Sequence, residues 1–203
     1  MPRIDPAQSL SRRFELAHTA VEIGGHAYEL LKPRNVDDLI SEEDFNLDER
    51  IPYWADCWPS ARVLAEHISR TAGPGRTLLE LGCGIGLVSL AAARVGYEVL
   101  ATDYYADALE FAAANAQLHE LDLDTRLVDW RKLPDDLGRY DVVAASDVLY
   151  EAPQAMLVAE TIARTLTHDG VALVSDPGRR TAPALAPCCR DLGMTVREPR
   201  PPR

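Results

Sequence analysis

Two runs of alternating apolar and polar residues open the chain: Thr19-Ala-Val-Glu-Ile23 and His26-Ala-Tyr-Glu-Leu-Leu31, separated by Gly24-Gly25. Alternation on both sides of a two-residue glycine turn predicts an antiparallel hairpin, with Pro33 ending its second strand. The acidic stretch Asp37 to Glu49 interrupts this pattern, with one helical turn expected near Val36–Ile40.

From Ala61 onward the pattern changes to short apolar runs alternating with segments of helical period. Ala61 to Arg70 reads as a helix leading into a strand, Thr77-Leu-Leu-Glu-Leu81. A helix from Leu87 to Val95 stops at Gly96, and Tyr97 to Thr102 is a second strand. Ala106 to His119 is helical, with Leu109, Ala112, Ala113 and Ala116 on one stripe. Thr125 to Val128 is a third strand, and Asp141 to Ala145 a fourth. The apolar continuity of the fourth predicts burial on both faces. A helix with Ala155, Val158, Ala159, Ile162 and Leu166 on one face is stopped by Gly170. Val171 to Val174 is a fifth strand and Met194 to Val196 a short sixth. The alternation predicts an α/β fold: a mostly parallel sheet with helices on both faces, preceded by the hairpin. Residues 1–203 read as a single domain, with the hairpin and acidic segment in 1–50 and the α/β core in 51–203. In such sheets ligands bind at the carboxyl ends of the strands.

Apolar residues make up 47% of the 203, which is enough for a large core and excludes a disordered tail. No apolar run reaches the ~18–20 residues of a membrane span, and Met1 to Thr19 does not read as a signal peptide. A cytoplasmic location and no membrane partner are expected. The net charge of −11, from 21 basic and 32 acidic residues, repels nucleic acid and favours a cationic partner. Arg179 and Arg180 are too few for a basic patch, and Arg197, Arg200 and Arg203 read as a solvated tail. Cys57, Cys83, Cys188 and Cys189 form no C-x-x-C pair and read as free thiols. His18 and His26 have no metal-ligand spacing, so no metal site is expected.

The chemistry gathers at the strand ends. Glu80-Leu81-Gly82-Cys83-Gly84-Ile85-Gly86 follows the first parallel strand, and its three glycines let the backbone turn sharply and approach a ligand. A dinucleotide fingerprint would need its last glycine at the position of Leu87, which weakens a nicotinamide-oxidoreductase reading. The charge of Glu80 would repel a pyrophosphate and suits a cationic moiety. Asp103, at the second strand end, can accept from ribose hydroxyls, with Tyr104 beside it. Asp129 and Trp130, after the third, can accept from and flank a purine base. Each acid alone is also an ordinary turn or cap residue. Ser146-Asp147-Val148-Leu149-Tyr150 follows the fourth strand. Asp147 and Tyr150 could equally be a helix cap and a packed aromatic, Trp54 and Trp58 structural anchors, and Asp176 and Arg179 a local turn around Pro177-Gly178.

These residues resemble a known family. Glu80, Gly82, Gly84, Gly86 and Asp103 are similar to the acidic-Gly-x-Gly-x-Gly loop and second-strand acid of class I, seven-β-strand S-adenosylmethionine-dependent methyltransferases, which have a Rossmann-like fold. Asp147 to Tyr150 resembles the Asp-x-x-Tyr motif of the protein-lysine methyltransferases in that class. Tyr53-Trp54-Ala55-Asp56-Cys57-Trp58-Pro59-Ser60 resembles their Trp-Pro segment, and Asp176-Pro177-Gly178-Arg179 extends the likeness, which runs from Ile51 to Arg180. The resemblance implies S-adenosyl-L-methionine as cofactor, held by Trp58, Glu80, Gly82, Cys83, Gly84, Gly86, Asp103, Tyr104, Asp129, Trp130 and Ser146. It implies Asp147 and Tyr150 as catalytic residues and a lysine-containing protein as substrate. Same-fold transfer to a small molecule or another protein nitrogen, and a non-catalytic binding module, are the alternatives. The family adds a seventh, antiparallel strand, and only Glu198 to Arg203 remain here to form it.

Overall fold

The computed structural model describes residues 6–35, 39, 52–151 and 153–197. The helical turn expected near Val36–Ile40 and the acidic stretch to Glu49 lie, apart from Leu39, outside the described residues, as does the tail from Glu198. A short helix, α1 (Pro6–Leu10), precedes the hairpin strands β1 (Leu16–Ile23) and β2 (His26–Pro33). The core then runs α2 (Pro59–Ile68), β3 (Thr77–Leu81), α3 (Leu87–Arg94), β4 (Glu98–Asp103), α4 (Ala106–Leu118), β5 (Asp124–Leu127), β6 (Tyr140–Ser146), α5 (Gln154–Thr165), β7 (Leu166–Ser175) and α6 (Leu185–Asp191). Strands β3 to β7 form one parallel sheet in the order β5-β4-β3-β6-β7. This is the Rossmann-like arrangement expected, with strand order reversing beside β3.

Period two along the strands divides the core. Leu78, Val142 and Ala144 face α2, α3, α4 and the hairpin, while Leu79, Leu81, Val143 and Ala145 face α5 and α6. Residues 142–145 of β6 are all buried, because helices cover both sides of this strand. Among the described residues no helix is long and apolar enough to cross a membrane.

The hairpin turn has φ +58° at Gly24 and +78° at Gly25, the two left-handed residues that a tight hairpin needs. Val21, Ile23, Tyr28, Leu30 and Leu31 bury the hairpin on the helical layer. Asn115 of α4 is fully buried and holds it there. Its Oδ1 accepts from the Leu31 N–H (2.7 Å) and its Nδ2 donates to the carbonyls of Leu31 (3.0 Å) and Ile85 (2.9 Å).

Three local expectations change. Leu166 belongs to β7, not to the preceding helix. It pairs with Tyr140, and the register then shifts until Val171 meets Val142, so Gly170 lies inside an irregular strand start. Met194 to Val196 is not a strand, since it finds no ladder partner among the described strands. Helix α6 was not foreseen, because Pro187 lies within it.

Candidate active site

The sheet places its strand tips side by side, and a cleft opens across those of β5, β4, β3 and β6. Three inter-strand steps give it a length of about 14 Å. Its wall includes Trp58, Gly82, Cys83, Gly84, Asp103, Tyr104, Asp129, Trp130, Ser146, Asp147 and Tyr150, so most of the residues singled out in the sequence come together here.

Strand β3 passes into α3 through three left-handed glycines, with φ +69° at Gly82, +52° at Gly84 and +94° at Gly86. A Cβ on Gly84 would lie 2.9 Å from the Trp54 carbonyl oxygen, and one on Gly82 2.9 Å from a Val148 methyl. The loop is therefore bare backbone at the cleft floor. Gly86 lies behind the cleft, at the start of α3, where a Cβ would press on Ala112. Cys83 is buried, and burial pushes its thiol well above its ordinary range, so it behaves as a small packing residue.

Glu80 also lies behind the cleft. It is 1% exposed and accepts a hydrogen bond from the Ser89 hydroxyl of α3. Its lateral neighbours in the sheet are Ala101 and Ala144, which leave room for the carboxyl. Burial raises its pKa from 4.5 to about 8, so it is largely protonated at neutral pH. The expectation that its charge would face a cationic ligand is corrected on both counts: position and charge.

Asp103 does reach the cleft. Its Oδ2 accepts from the Gly84 N–H (2.9 Å) and its Oδ1 from that of Tyr105 (3.0 Å). Burial raises its pKa, and the backbone N–H groups oppose the rise. Asp129 caps the short turn Trp130–Lys132 and pairs with Arg131 (2.9 Å), so its cap role and its cleft position coexist. Its pKa lies below the ordinary value: burial raises it, and Arg131 outweighs that. Tyr104 stands under the Arg131 guanidinium at 5.3 Å.

Asp147 ends β6 with φ +57°, a left-handed conformation that costs a non-glycine residue energy and that asparagine and aspartate tolerate best. It is not a helix cap, since α5 starts at Gln154 after Pro153. Tyr150 follows in irregular chain, and its ring tilts against Tyr53 at 5.2 Å. The Trp58 indole donates to the Tyr53 carbonyl (2.7 Å) and its ring meets that of Tyr53 edge-on. Trp54 is 8% exposed and packs on Phe111 and Tyr105, so it anchors the segment over the glycine loop.

Two partners of Asp147 were missed. Ser60 of α2 donates to its Oδ2 (2.9 Å), and the Arg179 Nε donates to its Oδ1 (2.5 Å). Arg179 was expected in a local turn. That turn exists, because Asp176 accepts from the N–H groups of Gly178 and Arg179. Nothing in the spacing signals that the side chain crosses to residue 147.

A family model described as "Methyltransferase domain" matches residues 72–194. The chain belongs to the methyltransferase-domain family. It is 30% identical over 135 residues to the electron transfer flavoprotein beta subunit lysine methyltransferase of Xenopus laevis, covering 63% of this chain and 53% of that protein. It is 29% identical over 119 residues to the ribosomal protein L11 methyltransferase of Thermotoga petrophila, covering 58% and 43%. This methyltransferase-family chain thus spans about half the length of the curated relatives it matches. A solved T. thermophilus 16S rRNA methyltransferase, in complex with AdoMet and guanosine, has the same fold. It superposes with a TM-score of 0.63 at 20% identity, covering 85% of this chain and 45% of that one.

Proposed function

We propose that this chain is an S-adenosylmethionine-dependent methyltransferase acting on a lysine of a protein. The observation that carries the reading is Asp103. It is a buried carboxylate at a strand tip, braced by two backbone N–H groups and paired with no cation among the described residues. Such a group needs hydrogen-bond donors, and ribose hydroxyls supply two. The bare backbone at Gly82 and Gly84 admits close approach of the rest of the ligand. Trp130, Tyr104 and Val128 line the cleft beside Asp103, where a base would lie. The residues present fit the cofactor, which when bound supplies a methyl group activated on a sulfonium.

At the β6 end, Asp147, Tyr150, Tyr53 and Trp58 make an aromatic-walled pocket beside one carboxylate. Asp147 accepts from the acceptor nitrogen and orients it, while the rings exclude water. With the cofactor bound, its sulfonium would supply the methyl group to the nitrogen held by Asp147 between the rings of Tyr53, Trp58 and Tyr150, and the proton released would pass to solvent. Kinship to a lysine methyltransferase at 30% identity and the acidic charge of the chain support a lysine over other nitrogens.

Thermal shift with S-adenosylmethionine tests the cofactor, with about 2.7 kcal/mol of stabilisation expected at a hundredfold excess over Kd. Stabilisation by NAD alone would sink the reading. Methyl-labelled cofactor, incubated with recombinant electron transfer flavoprotein beta subunit and separately with a cell lysate, tests the acceptor. Label in small molecules and in no protein rules out the lysine. Asp147→Asn is expected to abolish transfer while the cofactor still stabilises the chain; full transfer by this variant would place the acceptor elsewhere.

A further inference from the structure

The carboxylates on the cleft wall are not equally available. Asp56 is paired with Lys32 (2.6 Å), Asp129 with Arg131 (2.9 Å) and Asp147 with Arg179 (2.5 Å). Among the described residues only Asp103, at the proposed ribose position, is without a cation. The cleft is therefore not the cation trap that its acidic sequence suggests. The pair at Asp147 is the most enclosed of the three, with side chains 4% exposed at Asp147 and 29% at Arg179.

We propose that Arg179 is a positioning residue that cancels the charge of Asp147, so that the acceptor end of the cleft takes up a neutral amine instead of an ammonium ion. The inference rests on the lysine reading above. A lysine titrates near ~10.4 in water and must lose its proton before its nitrogen can attack. A lone carboxylate at low exposure opposes that loss, because it stabilises the ammonium. With Arg179 in place the Asp147–Arg179 pair carries no net charge. Oδ1 and Oδ2, each with one donor from Arg179 or Ser60, keep lone pairs that accept from a neutral N–H.

Arg179 is held from three sides. Its guanidinium lies 6.0 Å from the ring centres of both Trp58 and Tyr150, a cation–π arrangement that favours its charged form in place. Asp176 fixes the turn that delivers it. The other titratable groups at this end of the cleft are Tyr53 and Tyr150 on its wall and Asp176, which accepts from the Arg179 N–H. Glu80 titrates near pH 8, but it faces α3 from behind β3 and is retained in every variant of the test below.

The test titrates Nα-acetyl-L-lysine methylamide into the full chain saturated with S-adenosylhomocysteine, at pH 7, 8 and 9. For the unaltered chain the affinity is expected to rise about a hundredfold from pH 7 to 9, in step with the neutral fraction of the probe. Arg179→Gln is expected to bind the probe at least about tenfold tighter than the unaltered chain at pH 7, with little further gain at pH 9, because it exposes the charge of Asp147 to the ammonium. Arg179→Lys is expected to restore the rising profile, which a merely structural role of the side chain would not predict. Equal profiles for Arg179→Gln and the unaltered chain would overturn the inference and leave the lysine reading standing. No binding of the probe to any of the three, each still stabilised by S-adenosylhomocysteine, would overturn both.

Discussion

At Gly84 the chain bends through φ +52° directly under the Trp54 carbonyl, so both conformation and space forbid a side chain. Gly84→Ala is expected to cost about 1–2 kcal/mol from the left-handed backbone alone. The displaced loop should also weaken S-adenosylmethionine binding by more than about tenfold, since the Gly84 N–H that braces Asp103 moves with it. Urea denaturation and calorimetric titration measure the two effects; unchanged values for both would show that the loop tolerates a methyl group. Glycines at this spacing are readable from sequence because few other residues survive three left-handed positions in five. The placement of Glu80 was not readable. A carboxylate at a strand end looks the same in sequence whether it points along the strand axis into the cleft or sideways under a helix. Here Ser89, nine residues on, and the flanking alanines decide it.

Among the elements, the hairpin and α4 depend on each other through one side chain. Asn115 satisfies both backbone groups of Leu31 and the carbonyl of Ile85 inside the glycine loop. Asn115→Leu keeps the volume and removes the partners, leaving buried polar groups unpaired at about 1–3 kcal/mol each. A loss of at least about 3 kcal/mol in urea denaturation is expected, together with weaker cofactor binding because Ile85 loses its anchor. A loss below about 0.5 kcal/mol, the scale of an ordinary surface substitution, would show that the hairpin docks by its apolar face alone. The helical stripe read from the sequence placed Ala113 inward and gave Asn115 no role. In the structure Phe111 and Asn115 are fully buried, because the hairpin covers α4 from outside and widens its buried face. Periodicity finds the face that meets the sheet; it does not register a second layer contributed by residues some 84 positions earlier.

For the molecule as a whole, pH acts through two hydrogen-bonded acids, Glu80 and Asp141, in opposite directions. Glu80 binds its proton more tightly folded than unfolded, with a folded pKa of about 8 against 4.5. Its contribution is therefore complete below pH 4.5 and is lost as pH rises toward 8, by at most about 1.4 kcal/mol per pH unit. Asp141 works the other way. It accepts from the N–H and hydroxyl of Thr77, its pKa is lowered, and its contribution fades as pH falls. Subtracting the stability curve of Glu80→Gln from that of the unaltered chain isolates the first effect. The difference should change steadily between pH 4.5 and 8 and level off above; a flat difference would mean that Glu80 is ionised in the folded chain. The sequence by itself determined the α/β alternation, the glycine loop, and the acids Asp103 and Asp147 at the tips of β4 and β6. These are local features, set by period, turn chemistry and chain direction within a few residues. Only the tertiary structure decided which carboxylates keep an available charge. Glu80 is neutralised by burial and Asp147 by Arg179, while Asp103 keeps its lone pairs for a ligand. Charge at a site depends on solvent exclusion and on partners brought from distant loops, and neither is written in the spacing of residues along a chain.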